Sequence, residues 1–313
     1  MIGVCIVTYN QEKFISQAID SAISQKLLKH KVRVYIGNDA STDGTAEVCR
    51  KYADLYPNEV VLINNQHNLG LVGNTLNVLT RINKDGCEYV AMLDGDDFWC
   101  DENKLQKQVS FLESSKDYGF CHTRVYTQIQ GRLIEEEGAA PPQGEVFSQI
   151  GTFGIGNCSV MFRSELLDLL NFDELREQNF MSIDFVMYAV FSAHTNLGFL
   201  DEYTAVWRRD QVSVSNPQNE AKQIAYLEND RRMWRYLGDL YPERWHFNDE
   251  AWENYYNSRV FAIAFKFKDY ELAHSLLPKF NSRRVSKVKR IVASNKFLFN
   301  LWFGLKQRKE SLS

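Results

Sequence analysis

The chain has 313 residues, 44% of them hydrophobic and 24% charged, with a formal net charge of −4. That is enough for a sizeable core in one or two domains, and the acidic balance excludes a general nucleic-acid binder. Residues 278–309 hold ten Lys or Arg and no Asp or Glu; ten positive charges against a net −4 leave −14 on the remainder, and a basic tail on an acidic body points to a local anionic partner.

From the N-terminus, Met1 leads straight into an apolar strand-like run, Ile2 to Val7, with no basic leader and no small-residue cleavage site. Phe14, Ile15, Ala18, Ile19, Ala22 and Ile23 then recur at helical spacing. Val32 to Ile36 is a second strand, and Asp43-Gly44 turns into a helix through Val48, Cys49 and Tyr52. Val60 to Ile63, Leu71 to Ile82 and Tyr89 to Leu93 read as strand, helix and buried strand. Alternation of this kind predicts an α/β fold, a mostly parallel sheet covered by helices on both faces. Leu105, Val109 and Leu112 mark a helix over about 102–113, and Gly131 to Gly156, with Pro141-Pro142 and six glycines, reads as loop with a short strand or two. The chain turns helical again from Phe185. Asn219 to Leu277 is aromatic and helical in pattern, with Tyr255, Tyr256, Phe261 and Phe265 as expected core.

Six scattered cysteines include no C-x-x-C pair, which argues against a zinc site and for small apolar residues in a reducing compartment. No segment reaches about 18 consecutive apolar residues, so no transmembrane helix is expected and the protein is expected to be cytoplasmic.

In open parallel sheets, ligands bind beyond the carboxyl ends of the strands. Three polar clusters fall there: Thr8-Tyr9-Asn10, Asn38 to Thr45, and Asp94-Gly95-Asp96-Asp97. The last places three carboxylates in four residues after an apolar strand. Their mutual repulsion is removed either by solvent or by a hard divalent cation, Mg²⁺ or Mn²⁺, which takes one or two carboxylates together with substrate phosphates. Glycine-rich phosphate loops are absent, so a metal is the expected phosphate strategy.

In order along the chain, Val4-Cys5-Ile6-Val7-Thr8-Tyr9-Asn10-Gln11, Gly37-Asn38-Asp39-Ala40-Ser41-Thr42-Asp43-Gly44-Thr45, Asn68-Leu69-Gly70 with Asn74, and Met92-Leu93-Asp94-Gly95-Asp96-Asp97-Phe98-Trp99 resemble the family 2 glycosyltransferases, inverting enzymes of the GT-A fold. Lys104-Leu105-Gln106-Lys107-Gln108 is similar to a bacterial subgroup, Asn157 to Arg163 resembles the strand before the acceptor region, and Leu200 to Arg208 the end of the catalytic domain. The resemblance covers residues 1–215 and leaves 216–313 as a helical C-terminal region.

It implies a hexosyl- or N-acetylhexosaminyltransferase of cell-surface polysaccharide assembly, acting on a nucleoside diphosphate-sugar, with UDP the commonest carrier, and on a glycan or lipid-linked glycan acceptor. Thr8, Tyr9 and Asp39 would hold the base, with Tyr9 against the ring. Asn10, Asn68 and Asn74 join the donor-binding set, Asp94 faces the ribose or the metal's waters, and Asp96, in the DXD motif, ligates the metal. Two departures stand out: Asn38 where the family often has Asp, and Asp210 where it tends to have His. Arg208 or Arg209 is set to contact phosphate in that His's place.

An inverting transfer needs a general base on the acceptor side. By the resemblance this is Asp184, in Ser182-Ile183-Asp184-Phe185-Val186-Met187-Tyr188, at a helix start whose dipole is expected to keep it ionised. Position alone gives Asp184 a plainer reading as a first-turn residue.

The tail at 279–309 joins Arg283, Arg284, Lys287, Lys289 and Arg290 to Phe297, Leu298, Phe299, Leu301, Trp302, Phe303 and Leu305. This reads either as a peripheral contact with the inner face of the cytoplasmic membrane, or as a helix packing on the body or on a second copy in a homodimer. A processive polymerase is disfavoured, since Tyr241 to Trp245 has the Arg-Trp but not the Gln of its motif. The remaining alternatives are a nucleotidyltransferase and an inactive sugar-nucleotide or glycan-binding module.

Overall fold

The computed structural model describes residues 1–135, 141–209, 219–245, 248–280 and 285–310, with side chains as far as 304 in the last helix. The chain divides into two compact units, Met1–Gln211 and Val212–Ser313. In the first, β1 (Ile2–Thr8), α1 (Ile15–Ile23), β2 (Val32–Asn38), α2 (Thr45–Leu55), β3 (Val60–Asn64), α3 (Gly70–Lys84) and β4 (Tyr89–Asp94) alternate as the hydrophobic pattern predicts. The unit continues with β5 (Phe98–Trp99), α4 (Lys104–Ser114), β6 (Tyr118–Ile129), β7 (Arg132–Glu135), β8 (Met161–Arg163), α5 (Phe172–Glu177), α6 (Asp184–His194) and β9 (Asn196–Arg208).

All seven residues of β1 are buried, which is why its sequence is an unbroken apolar run rather than an alternation. Helix α1 lays Ile15, Ala18, Ile19 and Ala22 against it, one stripe at i, i+3, i+4 and i+7. The nine strands form one sheet in the order β3-β2-β1-β4-β8-β6-β9-β5, with β7 hairpinned onto β6. Strands β1 to β4, β6 and β9 run one way and β5, β7 and β8 the other, so the sheet is mostly parallel.

Register sets where the polar strand ends meet. Thr8 pairs with Asn38, Asn38 with Asn64, and Val7 with Asp94. The first polar residue after each apolar run therefore arrives at one level, along the carboxyl edge.

The segment 131–156 holds a short strand, β7, as expected, and one later segment differs from the sequence reading. The β6–β7 turn has Gln130 and Gly131 both at positive φ, 50° and 74°, the primed geometry that matches strand twist; residues 136–140 of the expected loop lie outside the described residues. The run Asn157 to Arg163 is not all strand. Asn157–Ser159 is a 3-10 turn and only Met161–Arg163 pairs, because the turn's carbonyls are captured by buried side chains of β5 and α4.

The second unit holds α7 (Glu220–Leu240), α8 (Asp249–Phe267), α9 (Tyr270–Leu276), α10 (Lys287–Ala293) and α11 (Lys296–Glu310). Asn219, Asn248, Asp269 and Ser286 each cap a helix by accepting from a backbone N–H three residues on. Phe261 and Phe265 are buried here as expected, with Leu227, Val260 and Phe299. Tyr255 and Tyr256 are only half-buried; the Tyr256 hydroxyl reaches Glu228, a polar partner a core position would deny it. No helix among the described residues is long and apolar enough to cross a membrane.

Candidate active site

The backbone ladder continues past the strand ends: Asp39 N–H donates to Thr8 carbonyl and Gly95 N–H to Val7 carbonyl, both at 3.0 Å. The loops after β1, β2 and β4 are thereby stitched into one rim. Gly95 is required there, since a Cβ would lie 2.5 Å from Gln11 Oε1 and 2.8 Å from Thr8 Cβ.

On the β2 side, Asp39 is 2% exposed. Its Oδ1 accepts from Asn65 Nδ2 (2.9 Å) and Leu69 N–H (2.8 Å), and its carbonyl from Asn68 Nδ2 (3.2 Å). Asn65 also donates to Asn74 Oδ1, and Asn74 donates to Gly37 carbonyl at 2.8 Å. Asn74 is thus a buried brace beneath the rim, and Asn68 acts through Asp39's backbone. Asn38 donates to Asn64 Oδ1 at 2.9 Å, while its own Oδ1 is buried without a hydrogen-bond partner, leaving one unfilled acceptor at this edge. A cavity of about 370 Å³ opens at the start of α3, lined by Leu69, Gly70, Val72, Asn77, Arg176 and Phe180 among others.

On the β1 side, Tyr9 is 46% exposed, a flat ring open to a planar partner. Thr8 is buried and its hydroxyl donates to Gln11 Oε1 at 2.8 Å. Asn10 adopts φ 54°, and its Oδ1 accepts from Thr42 N–H at 2.8 Å while its N–H donates to Ser41 Oγ. Asn10, expected as a donor ligand, uses these groups to tie two loops together at the exposed rim.

The acidic side is crowded. Withdrawal from water, then the neighbouring charge of Asp96, pushes Asp94 up to about 7; burial likewise raises Asp96 and Asp97. Asp97 is buried and its Oδ1 accepts from Arg208 N–H at 2.8 Å, whereas Asp94 and Asp96 are half-buried at the rim. The Arg208 side chain, expected to contact phosphate, is half-buried beside Asp96. Its guanidinium donates to Asp96 carbonyl and Gln17 Oε1 and lies over the rings of Phe98 (4.6 Å) and Phe14 (5.2 Å). Arg209 lies over Trp207 at 5.5 Å, and Asp210 is outside the described residues.

Among the described residues no three His, Cys, Asp or Glu side chains converge as a ready-made metal cage. Two crowded, partly desolvated carboxylates nevertheless fit a Mg²⁺ or Mn²⁺ ion, which takes its remaining ligands from phosphate and water.

Asp184 is the first residue of α6, after an Ile183 cap that offers no side-chain hydrogen bond. Burial raises its pKa, and the hydrogen bonds from Ser182 and its own backbone offset this only partly. Desolvation thus outweighs the hydrogen bonds that favour its charged form, and Asp184 takes up a proton more readily than an ordinary carboxylate. Its charge adds to the forces raising Asp94, so the fold has brought residues 90 positions apart into one electrostatic neighbourhood. Asn157 and Tyr188 complete the set. Asn157 Nδ2 donates to both Asp94 oxygens (3.0 and 3.1 Å) and Tyr188 OH donates to Asn157 Oδ1 (2.6 Å). Neither role is visible in sequence, where Asn157 sits in a Gly-Asn-Cys-Ser run with nothing to pair it with a residue 63 positions earlier.

Comparison with known proteins gives the family and the fold. The Glycosyl transferase family 2 profile matches residues 3–169. An uncharacterized protein of Mycobacterium tuberculosis is 31% identical over 217 residues, 66% of this chain and 58% of that protein, so the chain spans little more than half its relative's length. The structure of S. aureus TarS 1–349 in complex with UDP superposes with a TM-score of 0.52 at 17% identity, covering 96% of this chain and 88% of that one. The mannosyltransferase PcManGT from Pyrobaculum calidifontis, in complex with GDP-Man and Mn²⁺, gives 0.54 at 16% identity, covering 96% and 82%. The GT-A fold expected from the resemblance is the fold observed, and the chain belongs to glycosyl transferase family 2.

Proposed function

We infer that the chain transfers a sugar, with inversion, from a nucleoside diphosphate-sugar to an acceptor hydroxyl during assembly of a cell-surface glycan. The carrying observation is the joint placement of Asp184 and Asp94: a partly desolvated carboxylate at a helix start beside the acidic rim that follows β4. The base of the donor, with uridine the favoured choice, lies against Tyr9, and its polar edge meets Asp39 and the unfilled Asn38 acceptor. Asp94 and Asp96 would hold Mg²⁺ or Mn²⁺, which when bound offsets the charge of the departing diphosphate. The acceptor oxygen attacks the anomeric carbon as the bond from that carbon to the diphosphate oxygen breaks, and Asp184 takes the acceptor's proton. A base with a raised pKa accepts that proton more readily than an ordinary carboxylate. The bound ligands of TarS and PcManGT support a nucleoside diphosphate-sugar as donor. The match to a glycosyltransferase family supports this reading over an inactive binding module or a nucleotidyltransferase.

The test is thermal unfolding against a panel of nucleoside diphosphates and their sugars, with and without Mn²⁺. A ligand at a hundred times its Kd adds about 2.7 kcal/mol to the folded state. A Mn²⁺-dependent rise with one nucleotide, abolished in Asp96→Ala, is expected. Asp184→Asn keeps that rise and loses nearly all transfer. No rise with any nucleotide, or near wild-type transfer by Asp184→Asn, overturns the reading.

A further inference from the structure

Every group that touches Asn157 is itself fixed. The 3-10 turn that carries it is clamped by three buried side chains. Trp99 Nε1 donates to Cys158 carbonyl at 2.7 Å, and Gln108 Nε2 and Lys104 Nζ donate to Ser159 carbonyl at 2.8 and 3.2 Å. Lys104 is fully buried and forms no ion pair among the described residues. Leaving a cation in the interior without a counter-charge is costly, and the fold accepts that cost to hold one turn. The carboxamide is then polarised in one direction only. An ionised Asp94 can only accept, so Nδ2 must face it; Oδ1 must then face the hydroxyl of Tyr188, which can donate. Tyr188 stands one helical turn after Asp184 on α6, its ring packed on Phe120 and Phe191. A rigid chain of hydrogen bonds thus runs from the acidic rim to the helix that bears the proposed base.

We propose that Asn157 and Tyr188 are positioning residues that lock the Asp94 carboxylate to helix α6, so that occupation of the donor site fixes Asp184 for transfer. The inference rests on the donor site of the proposed function. Neither residue touches the reacting atoms. Asn157 orients Asp94, and Tyr188 transmits that orientation to α6.

The experiment measures UDP binding by calorimetry with Mn²⁺, and hydrogen exchange of α6 amides with and without UDP and Mn²⁺, in the full chain. In the wild-type chain UDP slows exchange across Asp184–His194. Tyr188→Phe removes one hydroxyl and keeps the packed ring. It is expected to bind UDP within about threefold of wild type, as befits a bond that does not touch the ligand, yet to lose the UDP-dependent slowing in α6. Asn157→Ala is expected to lose the slowing as well and to bind UDP about tenfold more weakly, the worth of a hydrogen bond to a charged group. A merely structural hydroxyl would speed exchange equally with and without UDP. Unchanged UDP-dependent slowing in both variants overturns the bridge alone. Failure of the wild-type chain to bind UDP or any other nucleoside diphosphate of the panel with Mn²⁺ overturns the donor reading, and the bridge with it.

Discussion

His122 shows what one buried polar atom does to a fold. It lies on β6, 2% exposed, its ring 5.0 Å from Phe199, and its Nε2 has no hydrogen-bond partner. Burial penalises the charged imidazole and holds its pKa down at about 4, against 6.5 in the open chain. The folded state therefore binds a proton less readily than the unfolded one, so the contribution to stability is whole above about pH 6.5 and drains away as pH falls towards 4. A depression of this size is worth about 3 kcal/mol at most. His122→Leu cannot titrate. Between pH 7 and pH 4 the wild type should lose roughly that amount of unfolding free energy relative to the variant; parallel curves would show that His122 is hydrated. Legibility at this scale follows covalent neighbourhood. Tyr9, Asp39 and Asp96 stand in short runs whose polar residues interrupt apolar strands, so their place at the rim could be read. His122, Asn157 and Tyr188 take their meaning from partners dozens of residues away. Asn74, buried and bonded to Gly37 and Asn65, shows the converse, a polar residue whose bracing role the sequence does not reveal.

At the scale of elements, sequence pattern and structure agree wherever an element is buried by its own pattern. Strands β1 and β4 are unbroken apolar runs, and helices α1 and α3 carry clear stripes. They part at Asn157–Ser159, where a run expected by resemblance to be strand is held as a turn by Trp99, Lys104 and Gln108. That divergence makes Lys104 informative. Burial drags its pKa down to about 8, the mark of a cation held away from water. Replacing a buried charge by an apolar side chain of similar length is often neutral or stabilising by about 1 kcal/mol or more. Lys104→Met should therefore unfold at the same temperature as wild type or higher. It should nonetheless bind UDP several-fold more weakly, because the turn then keeps only the bonds from Gln108 and Trp99, and loss of a hydrogen bond to a charged donor costs about that much. Greater stability with unaltered UDP binding would mean that the clamp does not reach the rim. A large loss of stability would mean that Lys104 is chiefly packing.

At the scale of the whole molecule, the alternation of strands and helices announced the class, but not the order of the sheet. Strand β6 pairs in parallel with β9 across some seventy intervening residues, and β8 is inserted between β4 and β6; no local pattern encodes such neighbours. The C-terminal helices raise a different question, since the basic tail had two readings that the structure partly combines. Phe299, Val292 and Ala293 are buried in the second unit's core, with Trp302 and Phe303 packed against it, so the tail does pack on the protein. Yet Phe297 is 73% exposed, and Leu298 and Leu301 are exposed beside it on the same helix. Lys296 is paired with Glu271, and Lys289 and Arg290 lie over aromatic rings, while Arg283 and Arg284 fall outside the described residues. An exposed apolar stripe in a stretch with ten cations and no acid before Glu310 suits an anionic bilayer surface. Each cation near such a surface is worth about 1 kcal/mol and is screened by salt. The full chain should therefore sediment with vesicles containing phosphatidylglycerol but not with purely zwitterionic ones, and high salt should weaken the association. Phe297→Ser with Leu301→Ser should abolish it without lowering the unfolding temperature, since neither side chain is in the core. Vesicle binding unchanged in that double variant would assign the attraction to charge alone. No binding, together with a doubled mass in light scattering that the double variant reverses, would give the stripe to a second copy of the chain.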